Sequence, residues 1–293
     1  HQINAEECDP PEDVAEVDAV VSDWLKRYRS QHGRDLEPAG WADPQSPEDF
    51  GDIANGKRFA RKFRGLFLYV HATKRWLRWD DMRWAECGNG EALHAAGLIA
   101  QDALDDAHAA LKADPTEKAK NNHSQALSVH RNVRRLEAML TVAAVQDGMS
   151  IANPGLLDAD PWLLGVRNGV VNLRTGTLLQ PDPSMLIRRQ AGAAFEPTAR
   201  CDQWLRLLQE VFCGNAELIE FVRRAVGYSL TGLVDEEIAF LLFGDGANGK
   251  SVIANILHGV FGEYAVTVRA CLLARDGKGG SSDAEREKAK LPG

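Results

Sequence analysis

Residues 244–251 have the types and the spacing that phosphate chemistry requires. Their sequence, GDGANGKS, matches the pattern G-x-x-x-x-G-K-[ST]. Glycines let the backbone approach phosphate oxygens without a β-carbon in the way, and successive backbone N–H groups then form an anion cradle. The lysine of this pattern reaches the β- and γ-phosphates, and the serine hydroxyl is placed to bind Mg²⁺. The pattern predicts a site for a Mg²⁺-nucleoside triphosphate.

The predicted roles within this site follow from the pattern. Lys250 is the predicted catalytic cation, and Ser251 is the predicted Mg²⁺ ligand. The predicted nucleotide-binding residues are Gly244, Asp245, Gly246, Ala247, Asn248, Gly249, Lys250 and Ser251.

Two elements are expected to position this loop. The apolar run at residues 238–243, with acids before it and glycine after it, predicts a buried parallel strand. Apolar residues at helical spacing follow the loop and predict a helix that begins there. A strand, a glycine-rich loop and a helix in this order favour a phosphate site over a glycine-rich turn that binds nothing.

A basic segment with interleaved aromatic residues lies much earlier in the chain, at residues 51–84. Two interpretations of its basic residues are open: a helix stripe that faces DNA, or a solvated face that balances an acidic N-terminus. The nearby tryptophans Trp76, Trp79 and Trp84 either stack on bases or pack a small hairpin against helices, and we favour packing. The candidate DNA-binding residues are Lys57, Arg58, Arg61, Lys62 and Arg64.

Composition excludes several classes of protein. The chain has 293 residues, of which 44% are hydrophobic and 26% charged, as in an ordinary globular protein. Its net charge is −8, but residues 1–50 alone carry −9, so the charge does not exclude nucleic acid as a partner. No apolar run reaches the roughly 18–20 residues of a membrane span. The five cysteines form no CxxC pair, which favours reduced thiols in the cytoplasm.

Periodicity predicts an α/β fold in which a mostly helical module with small antiparallel strands precedes the phosphate loop. A short basic helix is expected to close at Phe59–Phe63, followed by strands at 65–70 and 75–79, with 82–86 as a candidate third strand. Later hairpin strands are expected at 162–166 and 169–173, with a turn at 174–176 and a return strand that begins within 175–179. The predicted helices are Val14–Gln31, Glu91–Ala113, one from Asp114 as N-cap to about Asp147, and two within 204–212 and 217–230.

Asn248, directly before Gly-Lys-Ser, makes the loop resemble that of the superfamily 3 helicases of phages, plasmids and DNA viruses. Over about residues 50–293 the chain resembles the C-terminal part of phage/plasmid primases, whose relatives include the poxviral primase-helicase. Besides the loop, the resemblance rests on RFARKFRGLFLYVHATKRWLRWDDMRW, GVRNGVVNLRTGTLL, RCDQWLRLLQEVFCGN, IEFVRRAVGYSLTGL and LHGVFGEYAV.

The resemblance implies ATP and Mg²⁺ as cofactors and single-stranded or forked DNA as the partner. It also implies a homo-oligomeric ring that does not associate with a membrane. It implies a phage- or plasmid-encoded protein in the bacterial cytoplasm that couples ATP hydrolysis to DNA unwinding in replication. The implied fold ends in an AAA+-like P-loop NTPase core. The expected domains are an acidic helix and linker (1–50), a basic hairpin with long helices (51–160), a small strand region (161–203) and the N-terminal part of the helicase domain (204–293).

The chain also departs from that family. In the family, an acidic pair on a second strand, a sensor residue and an arginine finger lie beyond the phosphate loop. The residues after Ser251 contain no apolar strand that ends in Asp or Glu. We therefore expect a fragment of a larger protein with a truncated core. The alternative is a non-catalytic nucleotide-binding or assembly module; a small-molecule kinase is disfavoured because the loop lies far from the start of the chain.

Overall fold

The structure is a computed structural model that describes residues 50–269, except residues 89, 245 and 247. The helix predicted at Val14–Gln31 lies outside the described residues. Within them the chain is mixed α/β, with seven α-helices and two small sheets, which confirms the predicted helical module with small strands. No described helix is both long enough and apolar enough to cross a membrane.

The first helix lies against a four-stranded sheet with strand order β3-β2-β1-β4. Strands β1, β2 and β3 pair antiparallel in chain order, with Leu68 opposite Leu77, and β4 pairs in parallel with the other edge of β1. The predicted basic helix and the strands that follow it are confirmed. The elements are helix α1 (Asp52–Phe63) and strands β1 (Phe67–Val70), β2 (Arg75–Trp79), β3 (Trp84–Glu86) and β4 (Ser150–Ile151).

The tryptophans of this sheet belong to its core. Strand alternation puts Trp76 on the face that meets α1, and its ring lies 5.9 Å from that of Phe59. Trp79 and Trp84 lie on the opposite face, with their rings 5.6 Å apart and each side chain only 2% exposed. Because a buried indole offers no face to a base, the packing interpretation is confirmed for Trp79 and Trp84.

Three helices follow, and one of them was not expected. Helix α2 (Glu91–Ala113) confirms its prediction, but the helix predicted from Asp114 to about Asp147 is two helices, α3 (Glu117–His130) and α4 (Val133–Ala144). The N-cap of α3 is Thr116 rather than Asp114, because the Thr116 hydroxyl accepts from the Ala119 N–H at 3.2 Å. At the break, Asn132 has extended backbone and its side chain accepts from the Arg134 N–H at 3.0 Å. An asparagine that satisfies a first-turn amide in this way starts a new helix.

Helix α1 crosses α4 at very short range at Gly56. A β-carbon on Gly56 would lie 2.5 Å from Val142 Cβ and 2.9 Å from the Met139 carbonyl oxygen. Beside the crossing, Arg135 Nε donates to Asp52 Oδ1 at 3.0 Å. The close packing of the two helices therefore depends on glycine at this position.

A second sheet of three antiparallel strands confirms the predicted hairpin and return strand. Its order is β5-β6-β7, and Leu164, Val166 and Val171 of its strands form a buried cluster with Ala191. The predicted turn is confirmed by the Asn172 side chain, which accepts from the Arg174 N–H at 3.0 Å. The strands are β5 (Leu163–Val166), β6 (Gly169–Asn172) and β7 (Thr177–Leu179).

The irregular segment 187–192 connects the two sheets. The Ile187 carbonyl accepts from the Trp84 N–H at 2.7 Å on the first sheet, and the Ala191 N–H donates to the Gly165 carbonyl at 2.8 Å on the second. Arg188 also forms an ion pair with Glu86 at 2.9 Å. Ile187 and Ala191 are buried and the other residues of the segment are half-buried, so the segment contributes to the core at two positions.

The last described elements are helices α5 (Asp202–Val211), α6 (Ala216–Ser229) and α7 (Lys250–Phe261), which confirm three predicted helices. The buried parallel strand predicted at residues 238–243 is wrong, because this run is not a strand, and Leu241 and Phe243 are 84% and 86% exposed. A strand exists only with a hydrogen-bonded neighbour, and no strand within the described residues pairs with this run. A parallel sheet behind the loop is thus not part of the described fold.

Two glycine substitutions test the helix crossing. Gly56→Ala is expected to lower the free energy of unfolding by about 1–3 kcal/mol, because the added methyl group overpacks the contact with Val142. Gly97→Ala in α2 is the matched control, since nothing lies within 4 Å of its β-carbon position. The control is expected to raise the free energy of unfolding by about 0.5–1 kcal/mol through helix propensity. Urea unfolding measures both, and equal stability of the two variants would contradict the crossing.

Candidate functional site

The backbone of the predicted phosphate loop uses glycine where glycine is needed. Gly244 has φ of 144° and Gly249 has φ of 81°, a region that other residues rarely adopt. Gly249 is also the N-cap of α7, and a β-carbon on it would overlap a methyl group of Val211 in α5. The predicted helix that begins at the loop is confirmed. Asp245 and Ala247 lie outside the described residues.

Lys250, the first residue of α7, bends back over the loop. Its Nζ donates to the Gly244 carbonyl at 2.9 Å and to Asn248 Oδ1 at 2.6 Å. Ser251 is exposed in the first turn of the helix, and the helix has no side-chain N-cap. The ammonium, the serine hydroxyl and the first-turn N–H groups are therefore brought together at one end of α7.

The five basic residues predicted as a DNA-facing stripe have different surroundings. Arg58 donates to Asn55 Oδ1 at 2.7 Å and stacks on the Phe50 ring, with its guanidinium carbon 5.0 Å from the ring centroid. Lys62 pairs with Asp102 of α2 at 2.6 Å.

The other three basic residues lie partly at the surface. The Arg64 Nε atom is buried without a hydrogen-bond partner, near Gly148. Lys57 and Arg61, four residues apart, share one exposed helix face. The geometry thus brings two of the five residues together as an outward basic pair.

A polar cluster that no sequence pattern marked joins strand β2, the residue after β3 and the first turn of α2. Arg78 Nε donates to Glu91 Oε2 at 2.7 Å, and the Cys87 thiol lies 3.9 Å from the same carboxylate oxygen. Burial raises the pKa of the Cys87 thiol to about 12, and the negative charge of Glu91 acts in the same direction. The thiol is therefore protonated and a poor nucleophile at neutral pH.

Glu263 and Tyr264, directly after α7, are the other residues that sequence reasoning missed. They hydrogen-bond to Gln190, Gly165 and Arg189, which are more than seventy positions earlier in the chain. They lie in LHGVFGEYAV, one of the segments that carry the family resemblance, but nothing in that segment indicates which distant residues they contact.

The cysteines offer a pH-dependent prediction. At pH 8.5 iodoacetamide is expected to alkylate the exposed Cys201 and Cys213 and to leave Cys87 unmodified, as read by peptide mass spectrometry. The folded chain holds the Cys87 proton more tightly than the unfolded chain, so protonation of this thiol contributes to the free energy of unfolding. The contribution is complete below about pH 8.5 and is lost as the pH rises toward 12. Alkylation of Cys87 as fast as that of Cys201 would contradict the buried, protonated thiol.

Comparisons with known proteins now bear on this geometry. The family model described as "D5 N terminal like" matches residues 56–213, which is more than half of the chain. The match runs from within α1 to just beyond α5 and ends before the phosphate loop. A comparison with curated proteins found no match. The family match supports the resemblance to phage/plasmid primases. Because it covers more than half of the chain, the chain belongs to the D5 N-terminal-like family.

Proposed function

We propose that residues 244–251 bind ATP with Mg²⁺, as the ATP-binding portion of a superfamily 3 DNA helicase that acts in phage or plasmid replication. The observation that supports this most is the position of Lys250, whose ammonium lies over the loop at the start of α7. Family membership supplies the setting, since D5-like primase-helicase proteins are replication proteins.

The present contacts of Lys250 suit an exchange for phosphate. Among its contacts are the neutral oxygens of Gly244 and Asn248, and charged phosphate oxygens are stronger acceptors than these. The first-turn N–H groups of α7 point the same way as the helix dipole, which favours an anion at this end. The left-handed conformation of Gly249 lets the chain enter the helix with these N–H groups exposed.

Ser251 is a suitable Mg²⁺ ligand in this proposal. Among the residues that the structure describes, no group of three or more His, Cys, Asp or Glu side chains could hold a metal ion. Mg²⁺ commonly binds through one or two protein groups together with phosphate oxygens and waters. The Ser251 hydroxyl would thus share the ion with the nucleotide, and the ion would offset phosphate charge.

Removal of the Lys250 ammonium tests nucleotide binding. Lys250→Ala is expected to weaken binding of Mg²⁺-ATP by about 10- to 100-fold, the effect of losing charge-assisted hydrogen bonds. Lys112→Ala, which removes an exposed lysine in the last turn of α2, is the matched control and is expected to bind like the wild type. Isothermal titration calorimetry measures both, and unchanged binding by Lys250→Ala would refute the site.

Steady-state ATPase assays with single-stranded DNA distinguish an ATP-hydrolysing helicase from a module that binds nucleotide without hydrolysing it. Turnover that Lys250→Ala abolishes supports the helicase function. Nucleotide binding without turnover favours the non-catalytic nucleotide-binding or assembly module.

DNA is the proposed partner, and Lys57 with Arg61 is the surface proposed to contact it. Reversal of both charges, in Lys57→Glu with Arg61→Glu, is expected to weaken binding to single-stranded DNA. It should also flatten the dependence of log K on log salt by about 1 to 1.5, because each lost phosphate contact removes about 0.7.

The control for this experiment carries the same charge change elsewhere. Lys112→Glu with Lys120→Glu reverses two exposed lysines on α2 and α3. Fluorescence anisotropy titrations between low and moderate salt measure the slopes. An equal loss of slope in the two double variants would show that net charge, rather than this surface, is responsible.

A further inference from the structure

The C-terminal end of α7 is fastened to the segment 187–192. The Gly192 N–H donates to the Val260 carbonyl at 2.9 Å, and the Glu263 N–H donates to the Gln190 carbonyl at 3.1 Å. The Glu263 carboxylate accepts from the Gln190 N–H at 3.1 Å and also pairs with the Arg83 guanidinium. Arg83 itself donates to the Arg188 carbonyl at 3.2 Å, so both sides of the contact meet at one arginine.

Tyr264 adds a second link to a different sheet. Its hydroxyl donates to the Arg189 carbonyl at 2.9 Å and accepts from the Gly165 N–H of β5 at 3.0 Å. Burial raises the pKa of the phenol, and the negative charge of Asp158 raises it further. The hydroxyl therefore keeps its proton and both of its hydrogen bonds at any physiological pH.

The fit at this end is tight. A β-carbon on Gly192 would overlap the Gly259 carbonyl oxygen, and one on Gly262 would lie 2.5 Å from the Gly192 nitrogen. Backbone therefore meets backbone directly, which makes the contact sensitive to small displacements of α7.

Elsewhere α7 has little to hold it. Ile253 is 1% exposed, whereas Val252, Ile256 and Val260 are each at least 40% exposed. Near the loop, Gly249 lies against Val211. Among the described contacts, the position of the helix therefore depends on Ile253, on the Gly249 contact, on the Gly192–Val260 hydrogen bond and on the contacts of Glu263 and Tyr264.

We infer that Glu263 and Tyr264 are positioning residues that couple nucleotide at residues 244–251 to the segment 187–192 and strand β5. This inference rests on the proposed nucleotide site. Helix α7 has Lys250 at one end and these contacts just beyond the other, and a helix of 12 residues is a rod of about 18 Å. A ligand that favours one position of the rod therefore shifts the contacts at its far end.

The first experiment uses hydrogen exchange with mass spectrometry, without nucleotide, to measure how far these hydrogen bonds protect α7 and the residues that it contacts. In Tyr264→Phe and in Arg83→Gln, the amides of α7 and of residues 165 and 190–192 are expected to exchange roughly 5- to 10-fold faster, as the loss of one hydrogen bond gives. Helices α2 to α4 should be unchanged. Arg75→Gln is the matched control, because Arg75 forms an exposed pair with Glu86 in the same sheet. Unchanged exchange in α7 would contradict the claim that these contacts hold the end of the helix.

The second experiment adds a non-hydrolysable ATP analogue with Mg²⁺ to the same proteins. In the wild type the analogue is expected to slow exchange in α7 and in residues 163–166 and 187–192. In Tyr264→Phe with Glu263→Gln it should slow the first turn of α7 alone. Equal slowing of residues 187–192 in both proteins would overturn the coupling.

The two proposals fail in different ways. If the wild type binds no analogue, the proposed nucleotide site fails and the coupling fails with it, while the first experiment still decides the fastening. If the wild type binds and Lys250→Ala does not, the nucleotide site stands and the second experiment alone decides the coupling.

Discussion

The segment 187–192 hydrogen-bonds to both small sheets and to the end of the helix that follows the phosphate loop. It reaches β3 through the Trp84 N–H, β5 through the Gly165 carbonyl and α7 through the Val260 carbonyl. These bonds satisfy backbone polar groups of a partly buried segment that has no regular secondary structure. Without them the two sheets would share no hydrogen-bonded connection at this point, and α7 would keep mainly its contacts at Ile253 and Gly249.

The family match shows which part of the chain contacts the two ends of α7. Every residue that receives the end of α7 lies within the matched range 56–213, as does Val211, which receives the start of the helix. The loop and α7 themselves lie beyond that range. The D5 N-terminal-like domain therefore supplies residues that contact both ends of α7, the helix that follows residues 244–251. Its surface on α1 carries the outward pair Lys57 and Arg61, so one domain contacts the proposed nucleotide element and presents a proposed DNA surface.

Much of this fold follows from local sequence signals, and the exceptions have physical causes. Helix α2, the first hairpin and strands β5 to β7 follow from periodicity and turn residues, and helix α7 follows from the apolar spacing after residues 244–251. The break at Asn132 was missed because apolar spacing continues through it, whereas the cap depends on one side chain. The run 238–243 has a strand composition, but pairing depends on a neighbour that composition does not reveal. Glu263 and Tyr264 act on residues distant in the chain, which no local pattern encodes.

We propose that the start of α7, which is held by contacts with the family domain, binds the triphosphate. A crystal structure of the chain with a non-hydrolysable ATP analogue and Mg²⁺ tests it most directly. We expect phosphates at the first turn of α7, with Lys250 Nζ moved from Gly244 and Asn248 to phosphate oxygens and with the Glu263–Arg83 pair intact. Nucleotide bound elsewhere, or a Lys250 that keeps its present partners at saturating analogue, would contradict it.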